Sequence, residues 1–385
     1  MSTRDAVIVT AKRTPVGVGK PGKGILSGIH SVDLSTVPIR AILDESGIDP
    51  ALIDDVIWGC VSQVGEQSCN IGRNAALASG LPESVPGTTI DRQCGSSQQA
   101  IHFAAAALVS GQADVVVAGG VEVMSRTPMF SNIEGGDGPF GPLMKARYPN
   151  LVPQGVSAEM IAAKWGLNRT ELDSLAVESH ARAAQAEDDG LFAREIVGVE
   201  TRDGLATTDQ GIRRGTNLAK LATLPTPFKE DGVVSAGNAS QISDGSAALL
   251  MMTSERALSL GITPIARVHS TAVIGDDPIL MLTAPIPATR GVLQRSGLDM
   301  EDIGVFEVNE AFASVVGAWL KETGANPDLV NPRGGAMSLG HPLGASGARI
   351  ATTLLHHMQD NGIKYGLQTM CEGGGMANAT IFELL

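Results

Sequence analysis

Short apolar runs alternate with stretches of helical period along the chain, and the alternation is clearest in two regions far apart. In the first, a mostly apolar run at 6–11 precedes a helical stretch from Leu34 to Glu45. Strand-like Gly87 to Ile90 then leads through D-R-Q-C-G-S-S-Q into an apolar helix, Ala100 to Val109, and strand Ala113 to Ala118 ends in Gly119-Gly120. In the second, helical Ala288 to Arg295 precedes strand Val305 to Val308 and helix Ala311 to Lys321. Strand-like Asp328 to Val330 leads through N-P-R-G-G-A-M-S-L-G-H-P-L-G-A-S-G into helix Ala348 to Met358, and strand Gly366 to Met370 ends in Gly373-Gly374-Gly375.

The two regions repeat one another. Ser46-Gly47-Ile48-Asp49, followed by Ile53 and Val56-Ile57, recurs 250 residues on (46 to 296) as Ser296-Gly297-Leu298-Asp299, followed by Ile303 and Val305-Phe306. In each copy a helix stops at Ser-Gly and a short strand follows. The same offset carries Cys94 into the G-H-P-L-G turn, which places the Cys94 and His341 turns at equivalent points of two α/β halves. Between them, residues 121–240 have no counterpart. This stretch is Pro/Gly-rich (G-G-D-G-P-F-G-P, T-L-P-T-P), with helical pieces at Ser157 to Trp165 and Arg169 to Glu187, and reads as an insertion. The expected division is a first half over 1–120, completed by about 241–265, an inserted domain over 121–240, and a second half over 266–385. Alternating elements in both halves predict α/β layers of sheets covered by helices.

Composition narrows the function. With 385 residues, 43% hydrophobic and 18% charged, the chain can bury a full core. The net charge of −13 argues against nucleic acid or an anionic membrane as partner, so any anionic ligand has to meet a local basic patch. Gly, at 46 residues, points to many tight turns and close backbone approaches. The four cysteines, at 60, 69, 94 and 371, show neither metal-ligand spacing nor a disulfide framework, so no metal is expected and the thiols read as reduced and cytoplasmic. No apolar stretch is long enough for a signal core or a membrane span, so no membrane insertion is expected.

Four places have the residue types and setting for chemistry. Cys94 lies between a strand and a helix start, where free N–H groups and the helix dipole favour a thiolate; the alternative is an inert buried Cys. His341 sits in a turn framed by Gly340 and Gly344 and stiffened by Pro342, a setting for a base, although a lone turn histidine is often merely solvated. The other six histidines lack glycine framing. Cys371 ends a strand before three glycines whose N–H groups are free to bind an oxyanion, or it is a bystander in a tight hairpin. Asn309 joins a strand to a helix and is equally readable as an N-cap. Gly17 to Gly22 matches G-x-G-x-x-G, but Pro21 and the K-G-I-L-S-G after it do not open a helix, so dinucleotide binding is not expected. No G-x-S-x-G occurs.

Taken together, Q-C-G-S-S-Q-Q-A at 93–100, N-E-A-F-A at 309–313, G-H-P-L-G-A-S-G at 340–347 and C-E-G-G-G at 371–375 resemble the thiolase family across nearly the whole chain. A-x-R-T-P at 11–15, G-G-V-E-V-M-S at 119–125 and G-N-A-S-Q-I-S-D-G at 237–245 add to the match. The resemblance implies a five-layered sandwich of two duplicated βαβαβαββ halves, with the insertion as a loop domain that binds coenzyme A. It implies thiolytic cleavage of a 3-ketoacyl-CoA, or the reverse Claisen condensation, through an acyl group on Cys94. In that scheme His341 takes the thiol proton and Cys371 moves the proton at the acetyl methyl carbon. One oxyanion hole is His341 with a water held by Asn309, and the other is the N–H groups of Cys94 and Gly373. CoA and acyl-CoA are the partners, CoA is a substrate, and no cofactor is required.

By the same resemblance Arg213 packs on the adenine, with Arg214, Lys220 and Lys229 adding positive charge. Phe228 and Ser240 contact the pantetheine, Phe312 walls the pocket, and the chain forms a homodimer or homotetramer. Two departures, Pro153-Gln154 in place of His-Met and C-G-S-S-Q-Q-A in place of the commoner C-A-S-G-x-Q-A, point away from a narrow acetoacetyl-CoA preference. The rival functions are a decarboxylating ketoacyl synthase of the same fold and a catalytically idle acyl-CoA or lipid carrier.

Overall fold

The computed structural model describes residues 4–385. Its strands are β1 (Ala6–Arg13), β2 (Gly17–Val18), β3 (Asp55–Gly59), β4 (Gly87–Ile90), β5 (Val115–Val123), β6 (Val199–Thr201), β7 (Gly204–Ala206), β8 (Ser243–Thr253), β9 (Ala266–Gly275), β10 (Val305–Val308), β11 (Tyr365–Glu372) and β12 (Met376–Leu384). The helices are α1 (Ser31–Ser46), α2 (Ile71–Ala78), α3 (Ser96–Ser110), α4 (Pro142–Arg147), α5 (Gln154–Lys164), α6 (Arg169–Asp188), α7 (Leu218–Leu221), α8 (Ser254–Leu260), α9 (Pro285–Ser296), α10 (Ala313–Thr323) and α11 (Ser346–Asn361).

The two halves have one topology. The first sheet runs β4-β3-β5-β8-β1, with β4 and β5 parallel to β3 and with β8 antiparallel to both β5 and β1. The second runs β10-β11-β12-β9, with β11 parallel to β10 and the rest antiparallel. The place of β4 is taken there by one parallel bridge, Phe306 to Val330. The strand expected at Asp328 to Val330 is therefore a single bridged residue after a short 3₁₀ turn, Pro327–Leu329. A short antiparallel contact between β1 and β9 joins the sheets at Val7 and Ile8.

Period-2 alternation assigns each sheet face. Ala248, Leu250 and Met252 of β8 share a core with Leu34, Ile39, Ile71 and Ala75 of α1 and α2, whereas Ala247, Leu249 and Met251 face Ala104, Leu108, Ala351 and Leu354 of α3 and α11. On the far side, Phe306, Ala379 and Ile381 pack against Val292 of α9 and Trp319 of α10. The order is helices, sheet, α3 with α11, sheet, helices: the five layers expected from the resemblance. Gly119-Gly120 does not end its strand. β5 runs on to Val123, paired with β8 as far as Asp244, and the glycines are there because a side chain at 119 would overlap Ala247 O at 2.2 Å and one at 120 would overlap Gly344 O at 2.2 Å. Gly17 to Gly22 opens no helix. Among the described residues no helix is long and apolar enough to cross a membrane.

Candidate active site

The middle layer brings the equivalent turns together. Cys94 lies between β4 and α3, and Gln93, at φ 50°, turns the chain there, its N–H held by Asp91 at 2.6 Å. The His341 turn precedes α11. A side chain at 347 would stand 2.2 Å from the Gln98 N–H nitrogen, so only glycine lets α11 start against the first turn of α3. The Ala348 N–H donates to Ser97 Oγ at 2.9 Å across the same contact. Cys94 packs with Leu343, two residues past His341, and with Met370, one before Cys371.

His341 is buried, not solvated. Its N–H donates to Ser243 Oγ at 3.0 Å, and its Nδ1 lies 2.6 Å from Ser346 Oγ. Ser346 Oγ already donates to Pro342 O at 2.8 Å, so it accepts from Nδ1–H and leaves Nε2 with the lone pair. Burial, with Arg349 adding to it, pushes the imidazole down to about 3. The ring is therefore a neutral base at neutral pH. Asn309 Nδ2 stands 3.4 Å from that Nε2, and Asn309 Oδ1, buried, has no partner among the described residues. Asn309 is not an N-cap, since α10 starts at Ala313 behind Phe312.

The thiols correct one expectation. Placement at a helix start predicts a thiolate at Cys94, but burial first and the charge of Glu372 second push it up to about 12, and the helix terminus does not outweigh them. Burial and the neighbouring Cys94 and Glu372 also push Cys371 well up. Both rest as thiols, close enough for one to feel the other's charge. A side chain at 373 would meet Gln93 Oε1 at 2.9 Å, which seats the Gly373 turn against the Cys94 turn.

The expected CoA contacts divide. Phe228 lies against Gly155, where a side chain would stand 2.1 Å from its ring, and makes an edge contact with Phe312 at 6.2 Å between centroids. The Ser240 N–H donates to Ala311 O at 2.9 Å, beside the Phe312 bridge to Ala239, so these three contacts form one wall, and Phe312 shares its apolar cluster with Cys371. Arg213 is exposed, and its N–H is held by His180 Nδ1 at 3.1 Å. Arg214 does not add free charge, because Glu187 and Asp188 pair with it at 2.6 and 2.8 Å.

Sequence reasoning missed the residues that hold the turns. Glu122 accepts from the N–H groups of Val61, Ser62 and Gly344, tying β5 to the His341 turn. Glu310 accepts from Met337 N–H, Ser179 and Asn331. Glu122, Glu310 and Ser346 all lie inside motifs noted for other residues, which was the available signal.

Residues 6–255 match the family "Thiolase, N-terminal domain" and residues 262–384 match "Thiolase, C-terminal domain". A steroid 3-ketoacyl-CoA thiolase of Mycobacterium tuberculosis is 49% identical over 99% of this chain and 94% of its own. A 3-ketoacyl-CoA thiolase of Yersinia pestis is 44% identical over 99% of this chain and all of its own. The crystal structure of the Bacillus anthracis acetyl-CoA acetyltransferase superposes with a TM-score of 0.90 at 36% identity, covering 100% of this chain and 99% of that one. With the duplicated sheets and the meeting of the Cys94, Asn309, His341 and Cys371 segments, these matches establish that the chain belongs to the thiolase family.

Proposed function

We propose that Cys94, His341, Asn309, Cys371 and Gly373 carry the thiolase reaction of this chain, acting on 3-ketoacyl-CoA substrates larger than acetoacetyl-CoA. The observation that carries this reading is the neutral His341, whose Nε2 faces Asn309 in the turn that packs on Cys94 through Leu343, with Cys371 next to Met370 of the same cluster. Nε2 takes the Cys94 proton as sulfur attacks the 3-keto carbon, the N–H groups of Cys94 and Gly373 hold the tetrahedral oxyanion, and the imidazolium so formed, with a water held by Asn309, donates to the thioester oxygen as charge collects there. The bond between the 2- and 3-carbons breaks, its electrons pass into the acetyl-CoA enolate, and Cys371 gives its proton to the methylene carbon to complete acetyl-CoA. The Cys371 thiolate takes the proton of the incoming CoA thiol, whose sulfur attacks acyl-Cys94. The shortened acyl-CoA leaves as His341 returns its proton to Cys94. Read backwards, this is the condensation. A decarboxylating synthase has no use for the Cys371 base, and an idle carrier has no use for any of these groups.

CoA is a substrate in this scheme and no cofactor is needed. The division into halves at 1–120 (with 241–265) and 266–385, with 121–240 as a CoA-binding loop domain, is supported by the matched strand orders and by the wall of Phe228, Ser240 and Phe312. β4 ends the first sheet with one side unpaired among the described residues, which supports pairing into a homodimer or homotetramer across that edge. Cytoplasmic location rests on the four free thiols. A cleavage assay over a panel of 3-ketoacyl-CoA thioesters tests the substrate reading: longer or ring-bearing acyl groups should be cleaved with the higher kcat/KM, and cleavage of acetoacetyl-CoA alone overturns it.

A further inference from the structure

Glu372 follows Cys371 at the end of β11 and is fully buried. Alternation along β11 turns its side chain to the face opposite Cys371, toward the start of α3. There it fills the space that a side chain at 95 would need: a Cβ on Gly95 would stand 1.9 Å from Glu372 Oε1. The carboxyl thus lies beneath the peptide just after the nucleophile, and one residue after the second thiol. Neither oxygen has a hydrogen-bond partner among the described side chains and amides at normal geometry.

Leaving a buried carboxyl unsatisfied is costly, and a core position of this size would accept an apolar residue. Placing it against the residue that follows Cys94 has a consequence that no apolar residue supplies. We propose that Glu372 is a positioning residue for the nucleophile, its carboxyl lodged against Gly95 so that, once ionised, its charge opposes loss of the Cys94 proton. The inference rests on the role proposed above for Cys94.

The surrounding charges support this. Burial pushes Glu372 up to about 8, with Asp91 adding to the push while Arg92 and the Asn378 N–H pull the other way. The carboxyl is thus neutral at pH 6 and ionised by pH 9. Cys94 feels the charge of Glu372 first, then those of Glu122 and Asp91. As pH rises, Glu372 ionises before the Cys94 thiol and holds it protonated, so thiolate formation stays tied to proton transfer toward His341 rather than to solvent hydroxide. Free thiolates would react with oxidants and stray electrophiles.

The test is the rate of iodoacetamide alkylation at Cys94 against pH, located by peptide mass in the unliganded enzyme. Glu372→Gln, nearly isosteric, should alkylate roughly tenfold faster than the parent at pH 9, equivalent to about one pH unit in the thiol's ionisation, and at the parent rate at pH 6. Glu372→Asp, which withdraws the charge by one methylene, should move the same way by less, and it carries the test if the glutamine variant does not fold. Equal rates at pH 9, or a change of equal size at both pH values, overturns the proposal. Alkylation needs no turnover, so this failure is distinct from failure of the thiolase roles, which would show as no acetylation of parent Cys94 by acetyl-CoA.

Discussion

The two halves share a strand order yet turn unlike faces toward the helices between them. The first half presents Val116, Ala118, Ala247, Leu249 and Met251, an apolar face closed over α3 and α11. The second half presents Gln368, Glu372, Asn378 and Thr380, all buried. Gln98 Nε2 and His102 Nε2 of α3 each reach Thr380 Oγ1 at 2.7 Å, but one side-chain oxygen each of Gln98, Gln368 and Asn378 goes unpaired. Most of the unsatisfied buried side-chain atoms among the described residues lie after residue 300. Buried polar groups without partners destabilise, so a fold accumulates them where something other than stability is gained. The first half supplies a firm apolar seat and Cys94, and the second supplies His341, Asn309 and Cys371, the residues to which the proposed function gives the base, the amide and the second thiol. The strand order is common to both halves, and the polar inner face belongs to the half that carries Asn309, His341 and Cys371.

The strongest way to break this comparison is to separate the two cysteines. Cys94→Ala should abolish acetylation by acetyl-CoA and lower turnover by at least about 10⁴-fold, since nothing replaces the nucleophile. Cys371→Ala should still gain one acetyl group on Cys94, seen by intact mass, yet neither cleave nor condense. The division of labour collapses if the Cys371 variant keeps near-normal cleavage, or if acetyl label is found on Cys371 of the parent.

Asn309→Ala is the next largest effect. Its orphaned Oδ1 beside His341 suits a held water whose O–H donates to charge that appears only as the bond breaks, so kcat should fall by about 10²–10³-fold, roughly 3–4 kcal/mol, with KM little changed. An unchanged kcat with a raised KM would place Asn309 in binding instead.

Much of this was legible in the sequence, and the reasons are local. The Ser-Gly stops at 46 and 296 are αL helix ends, with φ 63° at Gly47 and 74° at Gly297, and such ends are visible wherever they occur. The glycine frame of His341 and the strand before Cys371 were readable in the same way. Properties set by residues distant in sequence were not. Cys94 shows a helix start locally, but its raised pKa comes from burial under β11 and from Glu372, 278 positions away. Gly119-Gly120 looks like a strand end because the overlaps that require glycine there come from β8 and the His341 turn. The free base nitrogen of His341 depends on Ser346 having spent its proton on Pro342.

The glycines that close the seam between the halves give a smaller and different effect. A Cβ at Gly347 would lie 2.2 Å from the Gln98 nitrogen, and one at Gly59 would lie 2.4 Å from the Ser97 nitrogen, so α3 is pinched at its start from both halves. Backbone cannot yield as a side chain does, and each Gly→Ala change should destabilise by about 1–3 kcal/mol, seen as a lower urea midpoint. Activity should fall with it in both variants, because the turn being displaced carries Cys94. A Gly347→Ala enzyme of parental stability would mean that the halves are less tightly seamed than the contact implies.

The smallest effect concerns the segment that only one half possesses. The insertion between β5 and β8 has no equivalent between β11 and β12, where three glycines suffice, so it should contribute binding and leave the chemistry to the duplicated core. Arg213 and Arg214 are adjacent and both exposed, but Arg214 is committed to Glu187 and Asp188 while Arg213 has no acidic partner among the described residues. A guanidinium free to lie on an adenine face contributes about 0.5–1 kcal/mol at an exposed site. Arg213→Ala should therefore raise KM for CoA by about two- to fivefold with kcat unchanged. Arg214→Ala removes a cation already spent on surface ion pairs, which are worth little, and should leave KM within about twofold of the parent. Steady-state kinetics with CoA varied at saturating 3-ketoacyl-CoA separates the two. If Arg213→Ala lowers kcat, the insertion reaches into the chemistry and the boundary drawn between the regions is wrong; if Arg214→Ala raises KM as much as Arg213→Ala, CoA is recognised by general positive charge rather than by stacking on one free guanidinium.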